Sequence, residues 1–386
     1  MLTKRVKVLN ESMTIAISSL ARELKAEGKD ILSFSAGEPD FDTPEVIKEE
    51  AIKALKNGFT KYTAVAGIPE LLSAISDKLK RDNNLTYKPS DIITSNGAKH
   101  SLFNLFQALI EDGDEVIIPS PYWVTYPELV RYSGGVPVIV ETTDESGFKM
   151  TAKQLKDAIT PKTKMLILTT PSNPTGSIYS KSELEELAEV LKGTNIFVCS
   201  DEMYEKLIYD GKRFTSVASI NEDMFKKTIT VNGLSKSVAM TGWRFGYLAS
   251  PNSELIGAIK RLQSQSASNI NSITQHAAIA GLDGRADKDI EMMRAEFEKR
   301  RDLAIELIED IDKLSVVKPD GAFYLFINIK KVTNDSMAFS KELLSQKGVA
   351  VIPGIGFGSD GYIRFSFATD TKSIVEGIKR IKEFVE

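Results

Sequence analysis

Short apolar runs alternate with helical patterns through much of the chain, and this alternation constrains the fold more than any other feature. Apolar runs end at Thr169, Cys199 and Val231, and an amphipathic pattern over residues 180–192 lies between the first two. Strands that alternate with helices form a largely parallel sheet that is covered on both faces. We therefore predict an α/β fold with a mostly parallel sheet flanked by helices.

Three polar side chains follow the ends of these apolar runs. Asn173, Asp201 and Lys236 each come shortly after a predicted strand. Ligands of such sheets bind beyond the carboxyl ends of the strands. We therefore expect these three side chains to lie together in one site.

The length of the chain predicts more than one lobe. A chain of 386 residues exceeds the size that a single hydrophobic core usually serves. After Val316 the pattern changes to a mixture of strands and helices, which indicates a smaller α+β domain. We predict an N-terminal arm and helix over residues 1–44, with Ser12 as the helix cap, that belong to the small domain. We place the large domain at 45–285 and the rest of the small domain at 286–386.

The composition argues against several classes of protein. A net charge of −4 without a basic block argues against a nucleic-acid or membrane-surface binder. The single cysteine, Cys199, lies in an apolar run and cannot form an internal disulfide, and two histidines leave little material for a metal site. No apolar run approaches the roughly 20 residues that span a bilayer. We expect a cytoplasmic protein without a metal.

Lys236 is the residue with the most specific chemistry. It follows the apolar run 228–231, with Ser235 beside it and Arg244 eight residues further on. A lysine in this position can form a Schiff base with a carbonyl cofactor. Taken alone, the pair is far more typical of a solvated loop lysine, so the assignment depends on the other residues.

The rest of the chain supplies the other groups that pyridoxal phosphate requires. The pyridine nitrogen needs a carboxylate, the ring oxygen needs hydrogen-bond donors, the ring face needs an aromatic partner, and the phosphate needs a helix start and an arginine. Asp201 is the candidate for the carboxylate, Asn173 and Tyr204 are those for the donors to the ring oxygen, and Trp123 is that for the aromatic partner. The candidates for the phosphate site are Gly97, Ala98 and Lys99 with Ser235 and Arg244.

These residues lie in motifs that resemble the class I/II aminotransferases of the aspartate aminotransferase superfamily, which have fold type I and use pyridoxal 5′-phosphate. The matching segments occur in family order and cover nearly the whole chain: 35–41, 61–62, 121–123, 171–176, 200–204, 235–236, 242–246 and 363–366.

The resemblance implies roles for individual residues. Lys236 would bind the cofactor covalently and then move the substrate proton, with Asp201 and Tyr204 as the other catalytic residues. Arg364 would bind the substrate α-carboxylate beside the Gly37 backbone, and Trp123 and Asn173 would also contact the substrate. Tyr62 would reach the phosphate of a neighbouring subunit, because the family forms homodimers with shared active sites.

The substrate assignment depends on Lys99 and Thr14. Both resemble residues that line the side-chain pocket in the bacterial-type (subgroup Ib) aspartate aminotransferases, which implies that L-aspartate and 2-oxoglutarate are converted to oxaloacetate and L-glutamate. Lys99 is also consistent with a solvated lysine at a helix start. The alternatives are a broad or aromatic aminotransferase, a pyridoxal phosphate β-lyase and a non-catalytic ligand-sensing domain.

Overall fold

A computed structural model describes residues 2–10 and 13–386, without the side chains of residues 14 and 15. Ser12, the predicted helix cap, lies outside the described residues. The helices are α1 (Lys4–Lys7), α2 (Met13–Ala26), α3 (Glu45–Lys56), α4 (Pro69–Asn83), α5 (Ala98–Leu109), α6 (Thr125–Tyr132), α7 (Ala152–Ala158), α8 (Lys181–Leu191), α9 (Glu222–Lys227), α10 (Ser253–Ser264), α11 (Ser272–Leu282), α12 (Asp287–Glu309), α13 (Ser336–Lys347) and α14 (Thr371–Val385). The strands are β1 (Leu32–Ser33), β2 (Ile92–Asn96), β3 (Glu115–Ser120), β4 (Val136–Glu141), β5 (Thr163–Thr169), β6 (Phe197–Asp201), β7 (Thr228–Gly233), β8 (Phe245–Ala249), β9 (Ser315–Val316), β10 (Tyr324–Asn328), β11 (Val349–Ala350), β12 (Ile352–Pro353) and β13 (Tyr362–Ser366).

A seven-stranded sheet in the order β2-β8-β7-β6-β5-β3-β4 forms the centre of the protein. Strands β3 to β7 pair in parallel, whereas β8 is antiparallel to both of its neighbours. This sheet confirms the predicted α/β fold with a mostly parallel sheet. Strand β8 was not predicted, since its residues were interpreted only as part of a motif.

The strands of the sheet are apolar because helices cover them. Every residue of β7 is buried, and Cys199 in β6 is a buried free thiol, as predicted. One apolar cluster joins α3, α4 and α11 to β8, and another joins α5 and α10 to the strands. Burial of this apolar surface is the main stabilising contribution to the fold.

The register of the sheet aligns the ends of three neighbouring strands. Asp201 at the end of β6 lies opposite Thr169 at the end of β5 and opposite Val231 in β7. The segments that carry Asn173 and Lys236 leave the sheet at these ends. The three polar side chains predicted to share one edge therefore do so.

A second, antiparallel sheet in the order β12-β13-β10-β9 lies in the C-terminal part of the chain. A separate two-stranded parallel sheet joins Leu32 in β1 to Val349 in β11. Residues 349–353 form two short strands and not one, because β11 pairs with β1 whereas β12 pairs with β13. These pairings attach the N-terminal segment to the C-terminal part.

Helix α6 begins two residues before Pro127, because proline is tolerated in the first turn of a helix. Among the described residues, no helix combines the length and apolar character that crossing a membrane requires.

Candidate active site

A cavity of about 360 Å³ lies at the carboxyl edge of the central sheet. It is lined by most of the predicted site residues: Gly37, Ala98, Lys99, Trp123, Asn173, Asp201, Tyr204, Ser235, Lys236, Arg244 and Arg364. The fold therefore brings together residues that are as far apart in the sequence as positions 37 and 364.

Two predicted site residues whose side chains the structure describes do not line this cavity. Gly97 lies beside it, as the residue that precedes α5. Tyr62 is 91% exposed and belongs to an irregular segment. The side chain of Thr14 lies outside the part of the chain that the structure describes.

Lys236 presents a buried amine to the cavity. Its Nζ donates a hydrogen bond of 2.5 Å to the carbonyl oxygen of Gly37. Burial lowers the pKa of this amine to about 8, and the nearby Arg364 and Arg244 act in the same direction against the opposing charge of Glu38. A neutral amine, which is the nucleophilic form, is therefore accessible near neutral pH.

Asp201 is a buried carboxylate at the end of β6. Its Oδ2 accepts a hydrogen bond of 2.7 Å from the Tyr126 hydroxyl, and its Oδ1 accepts one of 3.3 Å from the Met203 backbone. Burial raises its pKa to about 6, although the Tyr126 hydrogen bond opposes this shift. In the described part of the chain, no cation lies within 4.0 Å of this carboxylate.

Arg364 in β13 extends into the cavity beside Asn173. Its Nη1 donates to Asn173 Oδ1 at 3.0 Å, and its Nη2 donates to the Ser35 carbonyl at 2.8 Å. Its guanidinium also lies 4.4 Å from the centroid of the Tyr324 ring. The buried Nε has no hydrogen-bond partner among the described residues, so the side chain retains an unused donor.

Two tyrosine hydroxyls form a pair next to this arginine. Tyr204 and Tyr324 are hydrogen-bonded to each other at 2.8 Å, and both are buried. Burial raises the pKa of Tyr204 well above its usual value, so its hydroxyl stays protonated and can donate. The amide nitrogen of Asn173 can donate as well, because its Oδ1 already accepts from Arg364.

An anion-binding corner forms where α5 begins. Gly97 precedes the helix with φ of 81°, a conformation that favours glycine, and an added Cβ would collide with the Arg244 guanidinium. Arg244 donates to the Thr241 carbonyl at 2.8 Å, and Ser235 lines the same cavity. Free backbone N–H groups at a helix start, an arginine and a hydroxyl together suit a phosphate.

Lys99 lies over the indole ring of Trp123, with Nζ 4.8 Å from the ring centroid. Burial lowers the pKa of Lys99, and the neighbouring Arg244 lowers it further. The side chain lines the cavity and has no carboxylate within 4.0 Å in the described residues. Lys99 is exposed to solvent, as expected for a lysine at a helix start, but it also lines the cavity.

The structure also adds residues that the sequence did not indicate. Tyr126 lies in the first turn of α6, three positions after Trp123, which precedes the helix, and this closeness in the sequence was the only available signal. Four further additions, Ser35, Thr169, Met203 and Thr241, lie within or next to segments that the sequence had indicated. The other three, Ser18, Arg22 and Tyr324, lie on segments that only the tertiary fold brings to the cavity.

Residues 29–381 match the family described as aminotransferase class I and II, and the chain belongs to that family. The aspartate aminotransferase of Bacillus sp. (strain YM-2) is 48% identical over 100% of this chain and 99% of its own length. The crystal structure of the aspartate aminotransferase from Rhizobium meliloti has a TM-score of 0.96 at 40% identity, covering 99% of this chain and 98% of that one. The Thermus thermophilus aspartate aminotransferase with maleate has a TM-score of 0.95 at 42% identity, covering 99% of each chain.

The protein is an aminotransferase, and aminotransferases of this family depend on pyridoxal 5′-phosphate. The residues of this chain fit that cofactor. One cavity holds a buried amine with a lowered pKa and a buried carboxylate that has no cationic partner in the part of the chain that the structure describes. An aldehyde and a protonated ring nitrogen are the groups that would satisfy them.

Proposed function

We propose that the protein transfers the amino group between L-aspartate and 2-oxoglutarate. The observation that carries this substrate assignment is the pair of cations Arg364 and Lys99, which line one cavity and lack carboxylate partners among the described residues. A substrate with two carboxylates would satisfy both side chains. The aspartate aminotransferases that resemble this chain over its full length support the same assignment.

Each residue has a task in this proposal. Arg364 binds the α-carboxylate with its fork of donors, which holds the Cα–H bond within reach of Lys236 Nζ. Bound pyridoxal phosphate supplies an electron-withdrawing ring that makes this Cα proton acidic. Lys236, as a neutral amine, would be the base that takes the proton from Cα onto its Nζ, and the resulting ammonium group would be the acid that gives the proton up again.

The other residues hold and tune the cofactor. The Asp201 carboxylate would keep the pyridine nitrogen protonated, and Asn173 and Tyr204 would donate hydrogen bonds to the ring oxygen. Trp123 would be the aromatic partner of the ring. The start of α5 at Gly97 and Ala98, with Ser235 and Arg244, would hold the phosphate.

A homodimer is the proposed working form, with Tyr62 extending to the phosphate site of the partner subunit. Tyr62 is 91% exposed, and Leu55 and Phe59 are exposed nearby. Leu55 also lines a depression with Trp243 and Arg244, next to the phosphate corner. A covering partner would bury these apolar side chains. In mixed dimers of Tyr62→Phe and Lys236→Ala chains, one intact site should form; no activity above that of the separate variants would count against the shared site.

Two broader predictions accompany this function. We propose the division into residues 1–44, 45–285 and 286–386, which the pairing of β1 with β11 and the long helix α12 support. Limited proteolysis near residues 44 and 285 would test it. The cytoplasmic location stays a prediction.

A half-transamination screen tests the substrate assignment. Each amino acid is added to the holoenzyme, and the conversion of the cofactor absorbance band is followed. Aspartate and glutamate should react fastest, and Lys99→Ala should slow both by about tenfold while changing phenylalanine little. Lys153→Ala, at an exposed lysine that does not line the cavity, is the control. Equal loss for phenylalanine and aspartate would remove the basis for an aspartate enzyme.

A further inference from the structure

The cavity carries more positive charge than the groups assigned so far require. Five cationic side chains line it, whereas Asp201 is its one carboxylate among the described residues: Arg22, Lys99, Lys236, Arg244 and Arg364. Within residues 2–10 and 13–386, none of these cations has a carboxylate oxygen within 4.0 Å. The proposed function uses four of the five, and Arg22 is left over.

Arg22 lies on α2, and that helix is attached to the substrate site. Ser18, one turn before Arg22, is hydrogen-bonded through its Oγ to Ser35 Oγ at 2.9 Å. The carbonyl of Ser35 in turn accepts the 2.8 Å hydrogen bond from Arg364 Nη2. Residues four apart share a helix face, so Ser18 and Arg22 face the cavity together, and both line it.

The guanidinium of Arg22 has no strong partner among the described residues. Its Nε donates to the Ser18 carbonyl at 3.3 Å and its Nη2 to Ser19 Oγ at 3.2 Å, both within its own helix. These distances are long for charge-assisted hydrogen bonds, and Nη1 donates to no described residue. The side chain is exposed, so a ligand can reach it without displacing an ion pair.

We infer that Arg22 is a specificity-determining residue that binds, together with Lys99, the second carboxylate of a dicarboxylic substrate. The inference rests on the proposed function, because Arg364 must already hold the α-carboxylate. Lys99 is a point charge held over Trp123, whereas the planar fork of Arg22 can pair with both oxygens of one carboxylate. The two side chains thus approach the same anion from α5 and from α2.

The test is Arg22→Gln, which keeps the length and polarity of the side chain but removes its charge. For aspartate and glutamate, kcat/KM should fall by about tenfold, chiefly through KM, as expected for the loss of a charge-assisted hydrogen bond. For alanine, which has only the α-carboxylate, kcat/KM should stay within about twofold, because no lost contact involves it. Arg22→Lys should recover part of the loss.

Lys25→Gln on the same helix is the matched control for net charge. Lys25 is also exposed and basic, but it does not line the cavity. Binding measured by calorimetry supplies a readout that is independent of turnover. The Kd of the holoenzyme for succinate should rise by about tenfold in Arg22→Gln and that for butyrate should not.

The outcomes separate this inference from the function on which it rests. If the unmodified enzyme does not react with aspartate, the proposed function is wrong. If it does react, but Arg22→Gln affects aspartate and alanine alike or matches Lys25→Gln, then Arg22 is only a solvated helix residue and the inference is overturned. A selective loss for dicarboxylates confirms it.

Discussion

The hydroxyl of Tyr126 donates a hydrogen bond of 2.7 Å to Oδ2 of Asp201, and it lies 2.6 Å from Thr169 Oγ1. A phenol has a single proton, so the Thr169 hydroxyl must be the donor in the second contact. The resulting chain from Thr169 through Tyr126 to Asp201 stabilises the ionised carboxylate. It opposes the effect of burial, which raises the Asp201 pKa to about 6.

Replacing Tyr126 by phenylalanine should therefore make the ionised form of the Asp201 carboxylate less stable. Without the hydrogen bond, the pKa of Asp201 rises further, and its pairing with a protonated ring nitrogen becomes less favourable. We expect kcat to fall by about tenfold, which corresponds to the loss of roughly 1–1.5 kcal/mol. Steady-state kinetics from pH 5 to pH 9 should show the deficit increasing as the pH falls. Tyr132→Phe on the same helix is the control, and an equal deficit in both variants would contradict this role.

The lowered pKa of Lys236 predicts how the apoenzyme takes up its cofactor. The neutral amine is the nucleophile, and a pKa of about 8 means that this form predominates above pH 8 rather than above 10.5. The rate of reconstitution with pyridoxal phosphate should rise between pH 6 and pH 8 and then level off. Stopped-flow absorbance measures this rate, with N-acetyl-lysine as the reference amine. A rate that still rises steeply beyond pH 9 would mean that the pKa of the Lys236 amine is not lowered.

Gly97→Ala tests the phosphate corner. The added Cβ would collide with the Arg244 guanidinium, and the φ of 81° disfavours any side chain. We expect the Kd for pyridoxal phosphate to increase by about tenfold, as when a charge-assisted contact is lost. Gly113→Ala is the matched control, since φ is 92° there but no atom lies within 4 Å of the added Cβ. Similar affinities for the cofactor in the two variants would exclude the proposed collision.

The buried ion pair between Lys78 and Glu205 predicts that removing one partner lowers the stability of the fold. Both side chains are 6% exposed, and Glu205 also accepts hydrogen bonds from Asn83 and Asn232 at 2.6 and 2.8 Å. Lys78→Met should lower the free energy of unfolding by about 3–5 kcal/mol, because it leaves a buried carboxylate without its cation. Denaturant unfolding measures the change.

Two further variants distinguish the loss of the ion pair from a general effect of substitutions in α4 on stability. Lys80→Met, at an exposed position of the same helix, should change stability by no more than about 0.5 kcal/mol. The double variant Lys78→Met, Glu205→Gln should recover part of the loss, since the buried charge is gone. A double variant that is less stable than Lys78→Met alone would show that the pair is not the cause.

Part of the site follows from local patterns in the chain. Asn173, Asp201 and Lys236 were expected at one edge because apolar runs ended just before them, and parallel strands end at the same edge. Arg364 was expected only through its resemblance to a family motif. Helix α6 and strands β11 and β12 show the limit of such patterns, since the bounds of these elements depend on their contacts.

Residues without a local signal could not be predicted in this way. Tyr324 reaches Tyr204 from a strand of the second sheet, and Arg22 reaches the cavity from a helix at the other end of the chain. Neither stands next to a motif. Their positions depend on how the segments before β1 and after α12 pack, which involves contacts between distant parts of the sequence.

The amino-acid sequence was thus sufficient for the fold class, the family and the residues that follow the strands, because alternating hydrophobicity and short motifs are local properties of a chain. Only the folded chain decided the chemistry of those residues. The lowered pKa of Lys236, the raised pKa of Asp201 and the unused donor of Arg364 arise from burial and from neighbours far away in the sequence. Desolvation and through-space charge depend on three-dimensional proximity, which local patterns do not contain.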